Sequence, residues 1–275
     1  MKRTLIIAVL VIAALPFASC ATADNTTLEK KGASATASTP ATDQAAAPRQ
    51  RYLVTEARVK PGMGAAFQEF TKNETLPVWQ KAGVKQISYY TTATLGEGGA
   101  FVSLRPIESL KEFDGPSLFV KALGEAGAKA WAAKRAQMIV SSRTYVMQAR
   151  PELGFDPKPN EPNKLAFVTR QSIAPGHSAD FENLIKNDIL PLIKKANPKA
   201  YFVGKVGTGG DTEEYQTVVL VDSYADYEKW SEALVKEGID KVAPKRAGIV
   251  AHRESAVYRF IPELSLPQPM MAQNK

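Results

Sequence analysis

Polar and apolar residues alternate along 52–59, YLVTEARV, with the period of two that marks a half-buried strand, and Pro61-Gly62 turns the chain after it. The period then changes. Phe181, Leu184, Ile185, Ile189, Leu192 and Ile193 recur at steps of three and four, an apolar stripe along one helix face, and the same spacing predicts a helix over 63–82. Gly83 and Asn197 follow these two stripes where a left-handed cap is needed, and they are the residue types that adopt it most readily. Strands are predicted over 84–95 and 100–106, joined by Gly96-Glu97-Gly98-Gly99. Ser109-Leu110-Lys111-Glu112 has capping-box spacing and opens a second helical region that runs, with a break at Gly115-Pro116, to about 136. A final strand covers 139–149, so the order of elements is βαββαβ.

The pattern occurs twice. KNETLPVWQKAG at 72–83 returns as KNDILPLIKKAN at 186–197. At an offset of 114 residues Val54-Thr55 aligns with Val168-Thr169, Pro61-Gly62 with Pro175-Gly176, Phe67 with Phe181 and Leu76-Pro77 with Leu190-Pro191. Further on the offset drops to 111, which pairs Lys134-Arg135-Ala136 with Lys245-Arg246-Ala247 and Pro151-Glu152-Leu153 with Pro262-Glu263-Leu264. The chain is a tandem duplication, with one unit expected at 51–158 and the other at 159–267, followed by a short tail at 268–275. Pro77 and Pro191 lack the amide that would reach the carbonyls of Asn73 and Asn187, which predicts a kink in each first helix.

A four-stranded sheet of this order carries helices on one face and leaves the other bare. Two such units in one chain can close their bare faces against each other. The expected class is α+β, with two tandem ferredoxin-like units forming an intramolecular, pseudo-dimeric α/β barrel. The βαββαβ order, the Pro-Gly before the first long helix and its Leu-Pro-x-x-x-Lys-Ala-Gly ending resemble the dimeric α/β-barrel superfamily. The resemblance is strongest to its NIPSNAP-like members and more distant to the antibiotic-biosynthesis monooxygenase and EthD branches. It implies that this chain carries, in one polypeptide, the pair that other members build as a homodimer, and hence a monomer.

The N-terminus lies outside both units. MKRTLIIAVLVIAALPFASC combines a Lys2-Arg3 start, an apolar run from Leu5 to Leu15 and small residues at 18 and 19, the layout of a bacterial secretory signal. Phe17-Ala18-Ser19-Cys20 resembles a lipobox, which makes Cys20 a candidate lipidation site and the membrane a partner only through that anchor; ordinary cleavage that discards Cys20 is the alternative. Residues 21–50 are rich in Ala, Thr and Ser with almost no large apolar side chain, as expected of a disordered linker. Periplasm or cell envelope is the expected location. The formal charge of +7 falls by two if Lys2 and Arg3 are removed with the leader, and no Lys/Arg stripe is interleaved with stacking aromatics, so nucleic acid is not an expected partner.

Catalytic signatures are sparse. The two histidines, His177 and His252, have no neighbour at metal-ligand spacing and are replaced by Met63 and Ser141 in the other copy, so neither a metal nor any other cofactor is expected. Gly96-Glu97-Gly98-Gly99 and Gly207-Thr208-Gly209-Gly210 join strand to strand without a following helix and read as turns, not phosphate loops. The candidate lining of a ligand cavity inside the barrel is Glu56, Tyr89, Tyr90, Arg143, Arg170, Tyr201, His252 and Glu254, with Phe202 beside them; Trp79, Trp131 and Trp230 read as packing anchors on helices. Charge reversal at two positions, Glu56 for Arg170 and Arg143 for Glu254, predicts one cross-strand ion pair within each copy. Three functions fit: noncatalytic binding of a small, partly apolar molecule or a protein partner; cofactor-independent monooxygenation or isomerisation; and a purely structural domain. The scarcity of titratable groups puts binding first.

Overall fold

Residues 50–156 and 164–266 are described by a computed structural model. The proposed leader, linker, Cys20 and C-terminal tail, and the boundary between the two units, lie outside the described residues. The first copy runs β1 (Arg51–Val59), α1 (Gly64–Phe70), α2 (Leu76–Lys81), β2 (Ser88–Thr92), β3 (Ala100–Ile107), α3 (Leu118–Met138) and β4 (Ile139–Ala149). The second repeats it with β5 (Leu165–Ile173), α4 (Ser178–Leu184), α5 (Leu190–Ala196), β6 (Ala200–Val206), β7 (Glu214–Val221), α6 (Tyr224–Lys236), α7 (Ile239–Val242) and β8 (Val250–Phe260).

The eight strands close into a barrel in the order β1-β3-β2-β8-β5-β7-β6-β4, each antiparallel to its neighbours. The copies meet at two seams, β2 with β8 and β4 with β6. Each of the eight described strands is therefore paired on both sides, which leaves no open edge among them. The predicted second strand, 84–95, contracts to Ser88–Thr92 because β3 pairs only with 88–91 and β8 only with 90–92.

Strand residues alternate between the barrel interior and the helices outside. Val54, Tyr145, Met147 and Val206 form one buried interior cluster, and Ala166, Ala200, Leu220 and Tyr258 another. Outside, each copy buries its own helix stripe. Phe67 and Phe70 do so in the first, against Tyr89 and Phe101 of the sheet, and Phe181, Leu184, Ile185, Ile189 and Ile193 in the second.

The paired prolines mark a wider turn, not a simple kink. Thr71–Thr75 and Ile185–Ile189 are π-helical, and the Leu76 amide donates to the Thr71 carbonyl five residues back. One extra residue is thus held in the helix, and Pro77 and Pro191 follow within the first turn of the next segment, where a missing amide costs least. Asn197 takes the left-handed conformation at φ 52° and Gly83 at φ 79°, as the cap positions require.

Candidate functional site

The barrel mouth gathers most of the charged candidates. Glu56 is opposite Arg143 in the β1–β4 register, and Arg170 opposite Glu254 in the β5–β8 register, as expected for neighbouring antiparallel strands. Two of the ion pairs nevertheless cross between copies, which corrects the expectation for Glu56 and Arg143, whereas Arg170 and Glu254 do pair within the second copy. Arg170 binds Glu56 at 2.7 Å, Arg143 binds Glu214 at 2.8 Å, and Glu254 lies at the longer distance of 3.6 Å from Arg170. Tyr145 donates to Glu56 at 2.6 Å, and Gln216 donates both to the Tyr145 hydroxyl and to Glu214. The cause lies in the barrel: β1 and β5 face each other across the interior, so a long side chain reaches the opposite copy as easily as its own neighbour.

Electrostatics follow this network. Burial, then the charge and hydrogen bond of Glu56, raise the Tyr145 hydroxyl far above its ordinary value. Burial draws Arg170 down, but Glu56 and the surrounding acidic groups outweigh it and leave the guanidinium firmly protonated.

The same alternation that fills the barrel corrects two candidates. Tyr90 and Phe202 point inward, whereas Tyr89 and Tyr201 face the helices and do not line the barrel. His252 is exposed on β8, and His177 is exposed at the start of α4, where Nδ1 lies 2.8 Å from Asp180. Among the described residues no cluster of His, Cys, Asp and Glu is arranged to hold a metal ion.

A cavity of about 230 Å³ lies outside the sites expected from sequence. It lies in the first copy between the sheet and α1–α3. Its walls include Phe67, Phe70, Phe101, Phe119, Trp79 and Trp131. Phe119 bridges the two indoles, with ring centroids 4.7 Å from Trp79 and 4.0 Å from Trp131, so these tryptophans are packing anchors and cavity walls together. Polar groups are few and placed. Trp79 donates to the Tyr89 hydroxyl at 3.0 Å, Trp131 donates to Thr75 at 3.2 Å, and Thr71 donates to the Phe67 carbonyl at 2.7 Å. Burial lifts Tyr89 to about 12 against the pull of Trp79 and Arg135. Arg135 sits at the cavity wall, lowered by burial, bonded to Ser142, and without a carboxylate partner among the described residues.

The equivalent space in the second copy is filled. At the repeat offsets Thr71, Thr75, Trp79 and Trp131 correspond to Ile185, Ile189, Ile193 and Val242, all buried in one apolar cluster. That contrast was present in the sequence as two hydroxyls on an otherwise apolar stripe, in one copy only.

No family model matches the chain, and no curated protein matches it in sequence. Solved structures match its fold. A provisionally assigned monooxygenase from Fusobacterium nucleatum is 14% identical with a TM-score of 0.56, over 81% of this chain and 96% of that one. An anthrone oxidase-like protein is 10% identical at 0.51, over 78% and 92%. A mutant chlorite dismutase from Candidatus Nitrospira defluvii is 9% identical at 0.51, over 78% and 92%. The chain shares the fold of these structures, here a closed eight-stranded α/β barrel built from two copies in one polypeptide.

Proposed function

We propose that this protein binds a small, flat, largely apolar molecule in the cavity of its first copy, between the sheet and α1–α3. One observation carries the reading: two copies share a backbone plan, and only the first keeps aromatic walls around open space where the second packs isoleucine. The leader-like N-terminus supports binding in the cell envelope, by a monomer. Titration with 2-naphthol, followed by quenching of Trp79 and Trp131, tests it. Saturable quenching is expected, and it should be lost when Thr71→Ile and Thr75→Ile are combined. Quenching that survives this double replacement would place binding elsewhere.

A second reading, cofactor-independent monooxygenation or isomerisation, draws on Arg135. A cation without a carboxylate partner beside the Tyr89 hydroxyl suits an oxygen that gains negative charge during reaction. The monooxygenase and oxidase names of the fold relatives agree with it. Oxygen consumption with anthrone-type phenols as substrate, absent in Arg135→Met, is the measurement that separates enzyme from binder.

A further inference from the structure

The barrel mouth holds a second cavity, of about 300 Å³, on the opposite face of the sheet from the aromatic one. It too arises because the copies differ. On one half of the mouth Tyr145, Glu214 and Gln216 interlock through hydrogen bonds. Their counterparts at the repeat offsets are Ala256, Ala100 and Val102, and these short side chains line the open half.

The charges at this mouth do not balance. Arg58 is matched by Glu97 at 2.5 Å, Arg143 by Glu214 at 2.8 Å and Arg170 by Glu56 at 2.7 Å. A fourth carboxylate, Glu254, lines the cavity with no arginine of its own; its contact is the 3.6 Å approach to Arg170, which Glu56 already holds. Beneath it Tyr258 is 8% exposed, lines the same cavity, and makes no hydrogen bond through its hydroxyl among the described residues. Its hydroxyl is open to the cavity and free to accept a hydrogen bond from whatever enters that space.

We infer that the barrel mouth is a binding site for a small organic ammonium ion. Its charge sits beside Glu254, an ammonium N–H donates to the Tyr258 hydroxyl, and its aliphatic body lies against Ala100, Val102, Val168 and Ala256. The surplus carboxylate selects a cation over an anion, and the short aliphatic walls select a body of about four carbons over a bulky or aromatic one.

Calorimetric titration of the full chain with three isosteric probes tests this. Butylammonium is expected to bind, 1-butanol about tenfold more weakly, and butyrate not measurably. Glu254→Gln should bring butylammonium down to the level of 1-butanol while leaving 1-butanol unchanged. Ala100→Leu should remove binding of both, with an unaltered melting curve as evidence of intact folding; should that variant fail to fold, the Glu254→Gln comparison decides alone. Equal binding of ammonium and alcohol, preference for butyrate, indifference to Glu254→Gln, or no heat with any probe at millimolar concentration would each overturn the inference.

Discussion

Positions 71, 75 and 79 hold Thr, Thr and Trp; positions 185, 189 and 193 hold three isoleucines, on helices with the same π turn and the same following proline. The widened turn is therefore a property of the fold. In both copies it rotates these positions toward the sheet, and what the chain places there decides between a cavity and a core. A π turn alone is no sign of a functional site in this protein, since the copy that packs isoleucines at these positions has one too.

The largest effect expected from breaking this comparison is at the paired phenylalanines. Phe181 is fully buried in the filled copy, and Phe181→Ala should cost about 3–5 kcal/mol in denaturant unfolding. Phe67→Ala should cost less, because part of its ring already faces open space. Equal losses would mean that the first copy's cavity closes up in solution.

Exchanging residues between copies comes next. Ile189→Thr should destabilise by about 1–3 kcal/mol, since it removes buried carbon and adds a hydroxyl to the apolar cluster around it. The reciprocal Thr71→Ile enters existing space and should change stability by less than about 1 kcal/mol while weakening 2-naphthol binding. At the barrel mouth Glu56→Ala removes the partner of a largely buried Arg170, and a loss of about 2 kcal/mol is expected, between the values of exposed and fully buried pairs. Combining Glu56→Arg with Arg143→Glu should fail to restore stability, because Arg143 serves Glu214 and Glu56 serves Arg170. Recovery would reinstate pairing within each copy.

The smallest effect should also be the most symmetric. Lys134 holds Glu74 at 2.8 Å and its counterpart Lys245 holds Asp188 at 2.5 Å, both at the surface. Alanine at either lysine should cost under about 1 kcal/mol, equally in both copies, and less still at high salt.

The duplication, the element order and the cap residues were legible because each rests on local periodicity or backbone preference. The register was legible too: Glu56 faces Arg143 because first and last strands are neighbours in this topology. Side-chain reach was not, since the partner that wins lies across the barrel and has no signature in strand order. Two candidates failed on a rule available from the start. Tyr89 and Tyr90 are consecutive on a strand, as are Tyr201 and Phe202, so only one of each pair can face the interior. The aromatic cavity had a signal in the internal alignment, hydroxyls against isoleucines, that periodicity analysis of one copy treats as noise. The narrow Ser88–Thr92 strand escaped because its ends are set by Leu104 and Tyr258, 16 and 166 residues away.

The covalent joining of the two halves also has a genetic consequence. In a symmetric homodimer every codon is read into both halves, so a substitution that closes one site closes its twin. Here position 75 and position 189 are separate codons, as are 102 and 216 at the barrel mouth. Each half can trade open space for packing without asking the same of the other, and a single mutation is enough to test either one.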